Sequence, residues 1–236
     1  MSGKDLVIVI LFILIVGLGF IAYQFNLSAQ QNVMQGEHKV LLLAADPSEP
    51  RPGIGAIDMG FIITVKDGKI INNTPVYPGG MAHPTQAAPA EVQKQGVSRL
   101  LLHDSFWYED NEKSAKLAQE IVEYNTGQKT DIVVVVTPEA VDALIQAVGP
   151  VYIEGSGYIN GSSIEFLRAE QDVGGLSRGN AIEQVMKAIA DASKDKSKYL
   201  ALVQAAISQY TQGNIVVIPQ GAFIQFVMSS GFSGIS

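Results

Sequence analysis

Residues 132 to 136 are an isoleucine followed by four valines. Branching at Cβ crowds the turns of a helix and suits the pleat of a strand. A run with no polar alternation has no face to give to water, so DIVVVV (Asp131 to Val136) is predicted as a strand covered on both sides. KVLLLAA (Lys39 to Ala45), which stops at Asp46, and NIVVI (Asn214 to Ile218) read the same way. GFIITV and KIINNTPVY, joined at Asp67-Gly68, form a predicted antiparallel hairpin. Helical spacing fills the intervals. NEKSAKLAQEIVEYNTG ends in a capping Gly127, and Thr137, Pro138 and Glu139 open a helix that stops before Gly149. Further helical segments are expected from about Gly179 to Ala192 and from Ser197 to Tyr210. Strands and helices in this mixture predict an α/β fold, an α/β/α sandwich built on a mixed sheet.

The N-terminus adds a separate expectation. Leu6 to Tyr23 is eighteen residues without a charge, roughly 27 Å as a helix at about 1.5 Å per residue, close to a bilayer core. A cleaved signal peptide has a shorter apolar core, and no small-x-small cleavage site follows, so a retained transmembrane anchor is expected. Lys4 precedes the span and the next Lys or Arg is Lys39. That asymmetry puts the bulk of the chain outside the cytoplasm, and the sequons at Asn26, Asn72 and Asn160 agree with that side. The expected organisation is a short cytoplasmic N-terminus (1–5), an anchor (6–23), an uncharged polar stalk (24–38) and an extracytoplasmic α/β domain (39–236) of a single-pass cell-membrane protein.

Composition removes several function classes. A formal charge of −7 with no basic stripe argues against nucleic acid as a partner. With no cysteine, disulfides, thiolate zinc sites and cysteine nucleophiles are excluded. His38, His83 and His103 lack the spacing that puts two ligands on one helix face and read as isolated surface or loop histidines. There is no GK[ST] phosphate loop, and GIGAIDMG leads into a strand rather than a helix.

What remains is carboxylates and arginines at strand and helix ends. Asp46 ends the first strand, Arg51 follows in the loop, and Asp58 stands at the mouth of the second strand. Ligands usually bind at that edge of an open α/β sheet. Arg168 precedes the Gly174-Gly175 pair and Arg178 opens the next helix, where backbone N–H groups would add to its donors for a phosphate. The plainer readings are an Asx-turn for Asp46 before Pro47, an Arg51–Asp58 ion pair bracing the loop, and solvated charges for Arg168 and Arg178.

ADPSEPRPGIGAIDMGFIITVKDGKI resembles the signature of an extracytoplasmic family, domain of unknown function 4012, in which an E-x-R-P-x-G-G loop precedes a strand and a D/N-G-K-I turn. The likeness continues through LLHDSFWYEDNEKSAKLAQEIVEYNTG and DIVVVVTPEAVDALIQAVGPVYIEG. That family is distantly similar to the LytR-CpsA-Psr proteins, membrane-anchored phosphotransferases that move glycopolymers from a polyprenyl-pyrophosphate carrier to cell-wall polymer. The resemblance implies a phosphotransferase of that kind, with Asp46 and Asp58 as acid/base groups or Mg²⁺ ligands and Arg51, Arg168 and Arg178 as pyrophosphate clamps. It also breaks at three places. Glu170 stands where the second arginine of the first pair belongs, the second of the later pair falls near Ala181, and Thr74-Pro75-Val76-Tyr77 replaces an I-P-R-D element. Fewer cations favour the alternative, a non-catalytic module that binds a lipid-linked glycan or an envelope partner.

Overall fold

The computed structural model describes residues 36–49, 51–67, 69–153, 157–163, 184–185, 188–189, 191–192 and 195–229. Five strands make the main sheet: β1 (Glu37–Asp46), β2 (Ala56–Lys66), β3 (Lys69–Val76), β6 (Ile132–Val136) and β9 (Ile215–Ile218), in the order β3-β2-β1-β6-β9. β1 and β6 run parallel, while β1–β2, β2–β3 and β6–β9 are antiparallel, so the sheet is mixed as expected. Two small hairpins, β4 (Ala82–Ala87) with β5 (Arg99–Leu101) and β7 (Val151–Ile153) with β8 (Gly157–Ile159), lie outside it.

The helices are α1 (Ala90–Gln93), α2 (Asn111–Thr126), α3 (Pro138–Val148), α4 (Lys196–Thr211) and α5 (Gln220–Ser229). Their ends are written locally. Asp110 accepts the Lys113 N–H at the start of α2, Gly127 closes it at φ +70°, and Thr137 accepts the Ala140 N–H ahead of Pro138 in α3. Along β6, Ile132 and Val134 join α3, α4 and α5 in one apolar layer, while Val133 and Val135 join α2 and the Leu100–Phe106 segment in the other. The central strands are therefore covered on both faces, which is why they carry no polar alternation. Among the described residues no helix is long and apolar enough to cross a membrane, and the expected anchor at residues 6–23 lies outside those residues.

Two ladder irregularities matter. On β2, Ala44 pairs with Met59 but Ala45 pairs with Ile57, which leaves Asp58 as an extra residue in a β-bulge. A second irregularity skips Ile71 on the edge strand β3, where that side chain is exposed. The bulge at Asp58 resets the alternation. Ile57 enters the α2 layer, whereas Met59, two residues on, enters the α3–α4 layer.

On α4, burial pushes the Tyr199 phenol up to about 12, and its hydroxyl finds no hydrogen-bond partner among the described residues. An unfolded tyrosine ionises near 10, so the folded state holds this proton more tightly. The stability it contributes is intact below about pH 10 and is lost as pH rises through the folded value. Tyr199→Phe should unfold at the same or a slightly higher denaturant concentration than the parent at pH 8, and should lose less stability between pH 8 and pH 11. Equal losses in parent and variant would show that the phenol titrates alike in both states.

Candidate functional site

The loop between β1 and β2 is held from three directions. At its start Asp46 accepts the Ser48 N–H at 2.8 Å, the Asx-turn foreseen as the plainer role for this residue. In its middle, the Gly53 N–H donates to the Trp107 carbonyl at 2.9 Å, and a side chain at position 53 would collide with the Phe106 and Tyr108 carbonyls. At its end Gly55 adopts φ +126° with its backbone packed on Asp46 and Pro47, a conformation glycine adopts without penalty. The loop is thus pressed onto the segment Leu102–Tyr108 with little freedom left.

Arg51 sits within this clamp. Its Nε donates to Asp104 Oδ1 at 2.9 Å, with the side chains only 15% and 5% exposed. Its guanidinium carbon lies 5.3 Å from the Trp107 ring centroid, a cation–π contact. Nη2 lies 3.6 Å from Glu49 Oε2 and 3.4 Å from His103 Nε2. Asp104 is the carboxylate that sequence reasoning missed. Fifty-three positions separate it from Arg51, and the only cue was its place in the LLHDSFWYED run of the family-like segment.

His103 corrects its reading as an isolated histidine. Its Nδ1 is 3.0 Å from the Ile57 carbonyl, an acceptor only, so that nitrogen carries a proton and donates. The same nitrogen is 3.9 Å from Asp58 Oδ1, and Nε2 is 3.2 Å from Glu49 Oε2. The imidazole therefore spans from the bulge to the loop. His83 is not isolated either: its Nδ1 accepts the Thr85 and Gln86 N–H groups, which puts the proton on Nε2, facing Glu120 at 2.8 Å. His38 pairs with Asp131.

Of the five candidate residues, the structure places Asp46, Arg51 and Asp58 on adjoining parts of one sheet edge, while Arg168 and Arg178 lie outside the described residues. Asp58 is 29% exposed and re-aimed by the bulge. Among the described residues the local balance is acidic, since Glu49, Asp58 and Asp104 meet one arginine and one histidine. Among the described residues no group of three or more histidine, aspartate or glutamate side chains is arranged around a common metal position. Mg²⁺ makes a lighter demand, one or two carboxylates with the remaining ligands from water and phosphate. The carboxylate oxygens of Asp46 and Asp58 fit that donor chemistry.

Comparison with known proteins bears on this geometry. No curated protein matches the chain. Solved structures do. The chain is similar to gbs0355 from Streptococcus agalactiae (14% identity, 86% of this chain and 76% of that one, TM-score 0.57). It is similar to Lin1025 from Listeria innocua (12% identity, 84% and 81%, TM-score 0.52). TagV of B. subtilis, a LytR-CpsA-Psr protein, gives 15% identity over 84% of this chain and 81% of that one, with a TM-score of 0.50. At such identities the likeness is one of fold, and it makes this mixed sheet similar to that of the LytR-CpsA-Psr proteins. The family model described as "Protein of unknown function (DUF4012)" matches residues 35–171, from the start of β1 past the Arg51 loop, His103 and β6, and the chain belongs to that family.

Proposed function

We propose that this protein acts in assembly of an envelope or cell-surface polymer, anchored by residues 6–23 with its α/β domain outside the cytoplasm. The observation that carries the reading is the Arg51 clamp: in a fold similar to TagV, a rigid loop holds a guanidinium against Asp104 and His103 at the sheet edge, and His103 in turn reaches the bulged Asp58. A guanidinium in such a place recognises phosphate through its fork of donors.

The reaction proposed is transfer of a phosphoryl-linked glycopolymer. An acceptor hydroxyl attacks the glycan-side phosphorus of a polyprenyl pyrophosphate, the bond to the lipid phosphate breaks, and the lipid leaves as its monophosphate. Asp58 takes the hydroxyl proton, and Arg51, with Arg168 and Arg178, stabilises charge on the phosphoryl oxygens. Mg²⁺ held by Asp46 or Asp58 would neutralise pyrophosphate charge. The alternative reading, a binding module without turnover, is favoured by the acidic balance around Arg51 and by Glu170 in place of an arginine.

The test uses the full-length chain in detergent micelles with a polyprenyl-pyrophosphate-linked glycan and Mg²⁺, reading out polyprenyl monophosphate. Turnover that falls at least about a hundredfold in both Asp58→Asn and Arg51→Lys supports transfer. Retention of the lipid without turnover supports the binding module. Equal turnover in parent and variants removes this edge from the reaction.

A further inference from the structure

Arg51 presents two unlike halves. Its Nε is committed to Asp104, a carboxylate 5% exposed at 2.9 Å. Its Nη2 lies 3.4 Å from His103 Nε2 and a looser 3.6 Å from Glu49 Oε2, and Glu49 is 50% exposed. The same Glu49 oxygen, Oε2, lies 3.2 Å from His103 Nε2. One anionic oxygen poised between an arginine N–H and an imidazole nitrogen occupies the position that a phosphate oxygen would take. Glu49 reaches it from the turn in which Asp46 accepts the Ser48 N–H, and the Glu49 N–H is 3.3 Å from the Asp46 carbonyl.

We propose that the Glu49 carboxylate is a built-in stand-in for the substrate anion, resting on Arg51 Nη2 and His103 Nε2 until a phosphate or pyrophosphate displaces it. This deepens the pyrophosphate-clamp reading of Arg51 and rests on it. The division of labour follows from burial. A nearly buried partner fixes the guanidinium plane, whereas an exposed ion pair holds weakly and exchanges readily with solvent or a competing anion. Displacement also removes one negative charge from an acidic cluster at the moment the anion arrives, which offsets the shortage of cations. A carboxylate at this position therefore lowers affinity for every phosphate ligand and restricts the subsite to those that compete well, dianions above monoanions.

The prediction runs against the usual direction, because removing a conspicuous site residue should improve binding. The full-length chain in detergent micelles is titrated with inorganic pyrophosphate in the absence of divalent metal. Fluorescence of Trp107, the chain's one tryptophan and the ring beside Arg51, reports binding. Glu49→Gln should bind pyrophosphate roughly three- to tenfold more tightly than the parent, the range expected from releasing one exposed ion pair. Glu91→Gln, which removes one charge from α1, should leave affinity unchanged, and Arg51→Lys should weaken it. If Glu49→Gln binds no better than the parent while Arg51→Lys still binds poorly, the stand-in is wrong and the clamp survives. If Glu91→Gln tightens binding as much as Glu49→Gln, the effect is net charge and the stand-in is wrong. If affinity is indifferent to Arg51→Lys, or pyrophosphate binds neither parent nor Glu49→Gln, the clamp fails and the stand-in with it.

Discussion

Gly53→Ala should be among the most damaging small substitutions at the described residues. An ideal Cβ at this position falls 2.3 Å from the Phe106 carbonyl oxygen and 2.5 Å from that of Tyr108, both main-chain atoms with no flexible side chain to swing away. The loop must lift, and with it goes the bond from the Gly53 N–H to the Trp107 carbonyl. Overpacking combined with a lost hydrogen bond should cost about 2 to 4 kcal/mol in denaturant unfolding. Trp107 emission should shift toward that of an exposed indole at denaturant concentrations where the parent is intact. Gly79→Ala supplies the control, since a Cβ there meets nothing within 4 Å. Matching unfolding midpoints for the two variants would mean that the loop does not press on the 106–108 backbone as described.

The second large effect is expected at Asp104. Its carboxylate is 5% exposed and its partner Arg51 is 15% exposed, so neither charge can turn fully to water when the other is removed. Asp104→Ala should therefore cost about 2 to 3 kcal/mol, short of a fully uncompensated buried charge because Glu49 and Trp107 still face the guanidinium. Arg51→Met alone strands the carboxylate and should be costly for the same reason. The double variant Asp104→Leu with Arg51→Met should recover much of either loss, because a desolvated ion pair contributes little net stability beside apolar groups of similar volume. A double-mutant cycle in urea measures the coupling. Additive losses, or a loss below about 1 kcal/mol for Asp104→Ala, would place the pair in the screened, solvent-exposed class. The same variants separate stability from recognition, since the double variant should fold yet lose any phosphate affinity that depends on Arg51.

Those two positions also show where sequence reading reaches and where it stops. Features fixed by near neighbours in the chain were legible: the β-branched run at 132–136, the Thr137-Pro138 helix start and the Gly127 stop all appear where local chemistry puts them. The Asx-turn at Asp46 was legible for the same reason. Arg51 and Asp58 could be assigned to one edge, because strand ends and the loops beyond them travel together. The partners could not. Asp104 and His103 reach Arg51 only because Leu100, Leu102 and Phe106 bury themselves against α2 and the sheet, a long-range outcome that no spacing encodes. The hairpins β4–β5 and β7–β8 went unforeseen because AHPTQA is largely polar and the other three strands are only three residues long, too short for any period to register. The bulge at Asp58 was equally hidden, as an extra residue is visible only once the opposite strand is known.

The pairing slip at Asp58 has a consequence for how this protein can change over time. Because Ile57 and Met59 face opposite layers across it, the hydrophobic frame of β2 restarts at that point. Losing one residue there would restore regular pairing and swing Ile57 out of its layer, so the strand tolerates exchange of the side chain at 58 far better than its deletion. Upstream, the loop ahead of Ala56 takes its shape from its own contacts at Arg51, Gly53 and Gly55, and the bulge lets that shape be set without shifting the frame of Met59 through Val65. The bulge acts as a joint between a loop fixed by its partners and a strand that must stay in phase.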